Sequence, residues 1–290
     1  MKFQIKRYIA QLIFLISANL GALGLKTGFC YPFFYCNACP AATSGCPLRA
    51  LEVSMYKVSE KLSLSNLGSF FSSLIEKINW ELFLYPILTL GAVGTISGRA
   101  VCGWVCPIGL LQRTTSIVPR KINTKIPIFA KIGKHRAENY FRYVKYLVLI
   151  SLVILIPFWI GFTFTDICPV GILTGTIPII ALSPGVYVPN SFFYVALVIF
   201  ILFIALIFLI ERGWCRYFCP VGAILAPFNK ISLLQVSVNK KECQSCNYCS
   251  KVCPMRIDVP NMHRDPECIL CGKCVNACLK NKIKFEWSYK

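Results

Sequence analysis

Apolar residues run in four long blocks along this chain, roughly Tyr8 to Leu25, Glu81 to Ser97, Tyr146 to Phe164 and Ser191 to Ile210, with polar or mixed segments between them. About 20 apolar residues cross a hydrocarbon core of ~30 Å, so the pattern predicts four transmembrane helices. The second block is short and carries Gly91, Gly94 and Gly98, small residues that suit close helix packing in a bilayer. Beyond Ile210 the pattern changes, and from about Val238 the chain is polar and rich in cysteine. The expectation is therefore a mainly α membrane protein in two parts, a four-helix domain over 1–237 and a small soluble α+β domain over 238–290.

Composition agrees with that reading. Of 290 residues, 56% are hydrophobic and only 15% charged, against roughly 25% charged in a typical soluble domain. The net charge of +19 would suggest nucleic acid in a soluble protein, but loop topology accounts for it in a membrane protein, and no nucleic-acid partner is expected. Between Arg99 and Lys145 stand ten basic residues against the single acid Glu138, whereas Asp166 to Asn190 contains no basic residue. Positive loops stay inside, which places both chain ends in the cytoplasm of a multi-pass inner-membrane protein. A cleaved leader is the alternative reading of the first block.

The 17 cysteines come in clusters. In the tail, Cys243, Cys246, Cys249 and Cys253 follow a C-x2-C-x2-C-x3-C spacing that Cys268, Cys271, Cys274 and Cys278 repeat. In two-cluster ferredoxins the first three cysteines of a run hold one cubane and the fourth reaches the other. Cys278 is thus expected to complete a 4Fe-4S cluster with Cys243, Cys246 and Cys249, and Cys253 one with Cys268, Cys271 and Cys274. Structural zinc, the alternative, needs no third cysteine at that spacing.

A second repeat reads Cys102-Gly-Trp-Val-Cys106-Pro-Ile-Gly109 and Cys215-Arg-Tyr-Phe-Cys219-Pro-Val-Gly222. Each copy follows an even-numbered block, so four thiolates at the inner membrane edge could hold a third 4Fe-4S cluster; buried cysteines serving only as small hydrophobes are the other reading. On the opposite side fall Cys30, Cys36, Cys39, Cys46 and Cys168. An outer cluster on Cys36, Cys39, Cys46 and Cys168 is favoured, with disulfides or bound copper as alternatives.

Other residues say less. Trp104, Trp214, Tyr217 and Phe218 read as an interfacial aromatic belt, Glu81 and Glu211 as solvated caps, and His135 and His263, the only two histidines, as solvent-facing. Neither histidine lies in an apolar block and C-x-x-C-H is absent, so haem is not expected. Nor does the chain contain a P-loop, a dinucleotide-binding glycine motif or H-E-x-x-H.

On these residues the chain resembles the NapH type of membrane ferredoxin and the wider group that includes MauN, NosR and CcoG. The features shared are the four apolar blocks, the C-x3-C-P segments at Cys102 to Pro107 and Cys215 to Pro220, and the tail cysteines. The resemblance implies membrane-bound electron transfer, with quinol as the usual donor and a periplasmic reductase as the usual destination; the outer cysteines depart from it. The expected function is a relay of electrons between a cytoplasmic ferredoxin domain and the quinone pool or an outer redox partner, with lipid, partner subunits and soluble ferredoxin as further partners. Whether it is an enzyme turns on whether quinone is its substrate. The alternatives are a factor that reduces a metal or thiol for another complex, as in CcoG or NosR, and a plain anchor for a ferredoxin head.

Overall fold

The computed structural model describes residues 2–18, 20, 46–63, 80–118, 137–182, 193–243 and 246–287. They belong to two compact units, one formed by Met1–Ile16, Gly91–Lys145 and Ile204–Lys290, the other by Ser17–Leu90 and Tyr146–Phe203.

Helices dominate both units. The long ones are Lys2–Ala18, Pro47–Ser63, Trp80–Ser97 and Phe193–Leu209. A small antiparallel sheet pairs β1 (Leu234–Val238) with β2 (Ile283–Trp287), Val236 opposite Phe285. Val236 and Ile283 turn into an apolar core with Val259, Leu270, Cys249, Cys274 and Ala100. Cys249 and Cys274 are thus set among β-branched and aliphatic side chains that keep water away.

The four expected transmembrane helices are not found: among the described residues no helix is long and apolar enough to cross a membrane. Lys2–Ala18 and Phe193–Leu209 have 17 residues each and Trp80–Ser97 has 18, or about 25 to 27 Å at 1.5 Å per residue, short of a ~30 Å core. The helix of the third block changes its winding and stops short of Phe164. Val144–Val148 passes into a π-helix over Leu149–Leu155, Pro157 opens the segment Ile156–Ile160, and Gly161 in the left-handed region (φ 73°) ends it. Gln11 within the first block and Arg7 just ahead of it are both fully buried in protein, a polar face that hydropathy does not show. The part of the expectation that holds is a mainly helical chain with a small ferredoxin-like end.

The first unit has an unusual core. Its largest fully buried side chains include Arg7, Arg99, Arg212, Arg216 and Lys145, residue types almost never buried unless paired. Arg99 bonds Glu267 at 2.9 Å and Lys145 takes the other oxygen of the same carboxylate. Arg216 pairs with Glu138, which also draws Arg142 at 3.4 Å and Arg256 at 3.7 Å.

In the second unit, Ile156–Ile160 packs on the helix Pro47–Ser63. Arg49 reaches Asp166 at 2.7 Å, and the Thr165 hydroxyl donates to Glu52 at 2.6 Å.

Candidate metal centres

Three copies of Cys-Pro-[Ile/Val]-Gly fold the same way. Cys106, Cys168 and Cys219 each stand just before a helix in extended conformation (φ, ψ of −61°, 124°; −69°, 126°; −72°, 111°), with the following proline in the first turn. Proline suits that place because its fixed φ is helical and its missing N–H would have no helical acceptor. The amides of Leu110, Ile172 and Ala223 close the first turn onto the cysteine carbonyls at 3.1, 3.3 and 3.2 Å. The glycines are required by close approach: a Cβ on Gly109 would stand 2.5 Å from the Cys102 carbonyl oxygen, and one on Gly222 3.0 Å from a guanidinium nitrogen of Arg99. Cys46 shares the Cys-Pro start, ahead of Pro47–Ser63.

In the first unit the two C-x3-C-P turns come together. Cys102, Cys106 and Cys215 are buried, and the ionisation of Cys106 and Cys219 is opposed first by burial and then by the neighbouring Cys215 and Cys102 thiols. Thiols in that position become thiolates when a strongly cationic centre displaces their protons. Gln112 donates to the Cys215 sulfur at 3.0 Å.

Two arginines lock the turns in a crossed arrangement. Arg99, three residues before Cys102, donates to the carbonyl of Cys215 at 3.2 Å; Arg212, three residues before Cys215, donates to the carbonyl of Cys102 at 3.3 Å. Both are buried. The repeat is therefore longer than its cysteines suggest, running Arg-x2-Cys-x3-Cys-Pro-x-Gly, and aligning the two copies outward from the cysteines would have found it. Arg7, Lys145 and Glu267 left no such signal.

The tail cysteines line two hollows. Cys243, Cys246, Cys249 and Cys278 border one; Cys253, Cys268, Cys271 and Cys274 border the other. The two runs share a backbone device: the residue after the second cysteine, Asn247 or Gly272, is left-handed (φ 56° and 67°) and opens a short helix carrying the third cysteine. Asparagine and glycine tolerate that region. Among the described residues no three His, Cys, Asp or Glu side chains are drawn in as around a single ion. A lone tetrahedral metal with bonds of ~2.3 Å needs its sulfurs about 3.8 Å apart, whereas a four-iron core holds them farther apart. The all-sulfur donor set around each hollow fits such a core.

The second tail hollow abuts the paired turns. Trp104 donates from its indole to the Leu270 carbonyl at 2.9 Å, and Gly103 lies against the carbonyl of Ile269. Trp104 thus serves the tail, and Trp214 and Tyr217 are buried, unlike an interfacial belt. Glu211, expected as a solvated cap, bonds Lys273 at 2.9 Å. His263 is exposed. Cys46 and Cys168 lie in the second unit; Cys30, Cys36, Cys39 and His135 lie outside the described residues.

Comparison with known proteins agrees with this chemistry. A 4Fe-4S binding domain model matches residues 79–125 and again 192–241, one C-x3-C-P turn in each, and a 4Fe-4S dicluster domain model matches residues 226–289. Uncharacterized protein MJ0750 of Methanocaldococcus jannaschii is 31% identical over 72% of this chain and 79% of its own length. Regulatory protein NosR of Stutzerimonas stutzeri is 28% identical over 74% of this chain. Ferredoxin-type protein NapH of Escherichia coli is 24% identical over 66% of it. The chain spans 29% of that NosR and 63% of that NapH. No solved structure matches it. Its identity to the archaeal relative, its duplicated 4Fe-4S motif and its dicluster tail show that the chain belongs to the NapH-type polyferredoxin group, as an iron-sulfur protein of electron transfer.

Proposed function

We propose that the chain carries electrons inward from its tail to the paired C-x3-C-P turns and on to a quinone or redox subunit at a membrane surface. Cys243, Cys246, Cys249 and Cys278 would hold one cluster, Cys253, Cys268, Cys271 and Cys274 a second, and Cys102, Cys106, Cys215 and Cys219 a third. A bound 4Fe-4S group supplies reversible one-electron chemistry. The observation that carries the reading is the direct contact between the Cys268–Cys271 loop and the Cys102–Cys106 turn, through Trp104 and Gly103.

The chain's own residues support this direction. Cys246 is exposed while Cys271 and Cys274 are buried, so the first tail hollow is the one a soluble donor can approach. Lys240, Lys241, Lys251 and Lys280 are exposed around that end, which favours an acidic partner such as a soluble ferredoxin and speeds its arrival. Further inward the Arg99, Lys145 and Glu267 cluster replaces water with fixed charge. On Phe193–Leu209, Val198, Ile201 and Leu202 are more than half exposed, an apolar face suited to lipid, from which a quinone would come. Cys46 and Cys168 are the described members of a separate cysteine set, for which an additional cluster remains our reading.

The test is stopped-flow kinetics on anaerobic full-length protein with liposomes containing a quinone. Reduced ferredoxin should reduce the tail of both the wild type and the Cys102→Ser/Cys215→Ser variant, but quinone should reoxidise only the wild type rapidly. Equal reoxidation of the two would leave the turns as mere anchorage.

A further inference from the structure

Among the described residues, carboxylates balance only part of the positive charge around the cysteine-bearing turns. Arg99 has Glu267. Arg212 and Arg7 meet no carboxylate among the described residues. Arg212 bonds the carbonyl of Cys102 at 3.3 Å, and Arg7 uses its Nε to bond the carbonyl of Gly103 at 2.6 Å. Both terminal nitrogens of Arg7, Nη1 and Nη2, are buried with no hydrogen-bond partner. A fully buried cation left that way is strongly disfavoured unless negative charge faces it.

The residues around Arg7 show where that charge would be. Phe3, Arg7 and Gln11 recur every four residues on Lys2–Ala18 and so share one face. Gln11 donates, like Arg7, to the Gly103 carbonyl, at 3.0 Å. Gln4 donates to the carbonyl of Cys271 at 3.3 Å, and the Phe3 ring lies where a side chain on Gly272 would stand. The helix therefore touches the Cys102–Cys106 turn and the Cys271 loop together. Burial depresses the basicity of Arg7 most, to about 9, with Arg212 adding to the effect, while the Cys271 sulfur opposes it. Four thiolates around an oxidised 4Fe-4S core carry about two negative charges in all, a counterpart to two unpaired arginines.

We propose that Arg7 is the shared counter-charge between the Cys102, Cys106, Cys215, Cys219 centre and the Cys253, Cys268, Cys271, Cys274 centre, and that Arg212 serves the first of these alone. This rests on the reading that the paired turns hold a cluster. Reduction adds negative charge at a site, and fixed positive charge beside it favours the reduced form. Arg7 then raises both reduction potentials together, which keeps neighbouring centres matched for transfer. Among the described residues, the contacts this helix makes with the tail are to Cys271, Gly272 and Phe285, not to Cys243, Cys246, Cys249 or Cys278.

EPR-monitored redox titration of the full chain tests this, with Cys102→Ser/Cys215→Ser marking the signal of the turns and Cys243→Ser that of the first tail site. Arg7→Gln should lower the midpoints of two signals and leave the Cys243 signal in place, Arg7→Lys should restore most of the loss, and Arg212→Gln should lower only the signal of the turns. Unmoved midpoints in Arg7→Gln, or an equal fall in all three, would overturn the proposal. If Arg7→Gln does not accumulate, an unmoved midpoint in Arg212→Gln overturns the counter-charge account by itself. A wild type without the signal that the double cysteine variant should lack would instead sink the underlying cluster reading.

Discussion

Arg99 bonds the Glu267 carboxylate at 2.9 Å with one nitrogen and the Cys215 carbonyl at 3.2 Å with another. One buried side chain thus ties a cysteine-bearing turn to the residue that precedes Cys268. The same carboxylate accepts from Lys145, so two cations share one anion.

Glu267→Gln leaves those two buried cations uncompensated. Removing one partner of a buried pair costs about 3–5 kcal/mol, and the thermal midpoint of the full chain should fall accordingly. Substitution of exposed Glu286 should leave the midpoint within about 0.5 kcal/mol equivalent. A Glu267→Gln midpoint equal to the wild type would show that the charges are not buried as described.

Glu138→Gln should destabilise by a similar mechanism, since Arg216 is almost fully buried and Arg142 and Arg256 also converge on that carboxylate. Urea unfolding of Glu138→Gln should show a loss of about 3 kcal/mol or more.

The two glycines of the repeat should differ. A methyl on Gly109 meets backbone, the Cys102 carbonyl at 2.5 Å, while one on Gly222 meets the end of the Arg99 side chain at 3.0 Å. Backbone yields less readily than a long side chain, so Gly109→Ala should cost about 1–3 kcal/mol and Gly222→Ala less. Reversal of that order in parallel unfolding curves would contradict the geometry.

The second unit should show a pH dependence of its own. Burial raises the Glu52 carboxyl from 4.5 to about 7, against the opposing bonds from Thr165. Its native pKa then exceeds the unfolded one, so the folded state keeps a proton that the unfolded chain has released, and stability falls as pH climbs from about 4.5 to about 7 before levelling. Glu52→Gln keeps an acceptor for Thr165 without the titration and should flatten that part of the profile, as followed by hydrogen exchange at helix Pro47–Ser63.

The 4Fe-4S character of the chain was legible because cysteine spacing is local: Cys243 to Cys249 and Cys268 to Cys274 each define a loop before any fold is known, and the C-x3-C-P turns announce themselves by duplication. The helical character was legible too. The spanning helices were read wrongly because hydropathy sums a window and does not see which face is buried: Gln11 in the first block points into protein, and Gly161 in the left-handed region ends the helix of the third block before its apolar run is over. Glu267, Arg7 and Lys145 act through neighbours distant in sequence, so no local pattern marks them. Arg99 and Arg212 are the exception, since their equal offset from Cys102 and Cys215 was open to view.

The most direct measurement is the iron and acid-labile sulfide content of anaerobically purified full-length protein, wild type beside Cys102→Ser/Cys215→Ser. The account predicts at least about twelve irons per chain in the wild type, and about four fewer in the variant with the tail signals intact. Iron that stays at about eight in both would contradict a cluster between the paired turns.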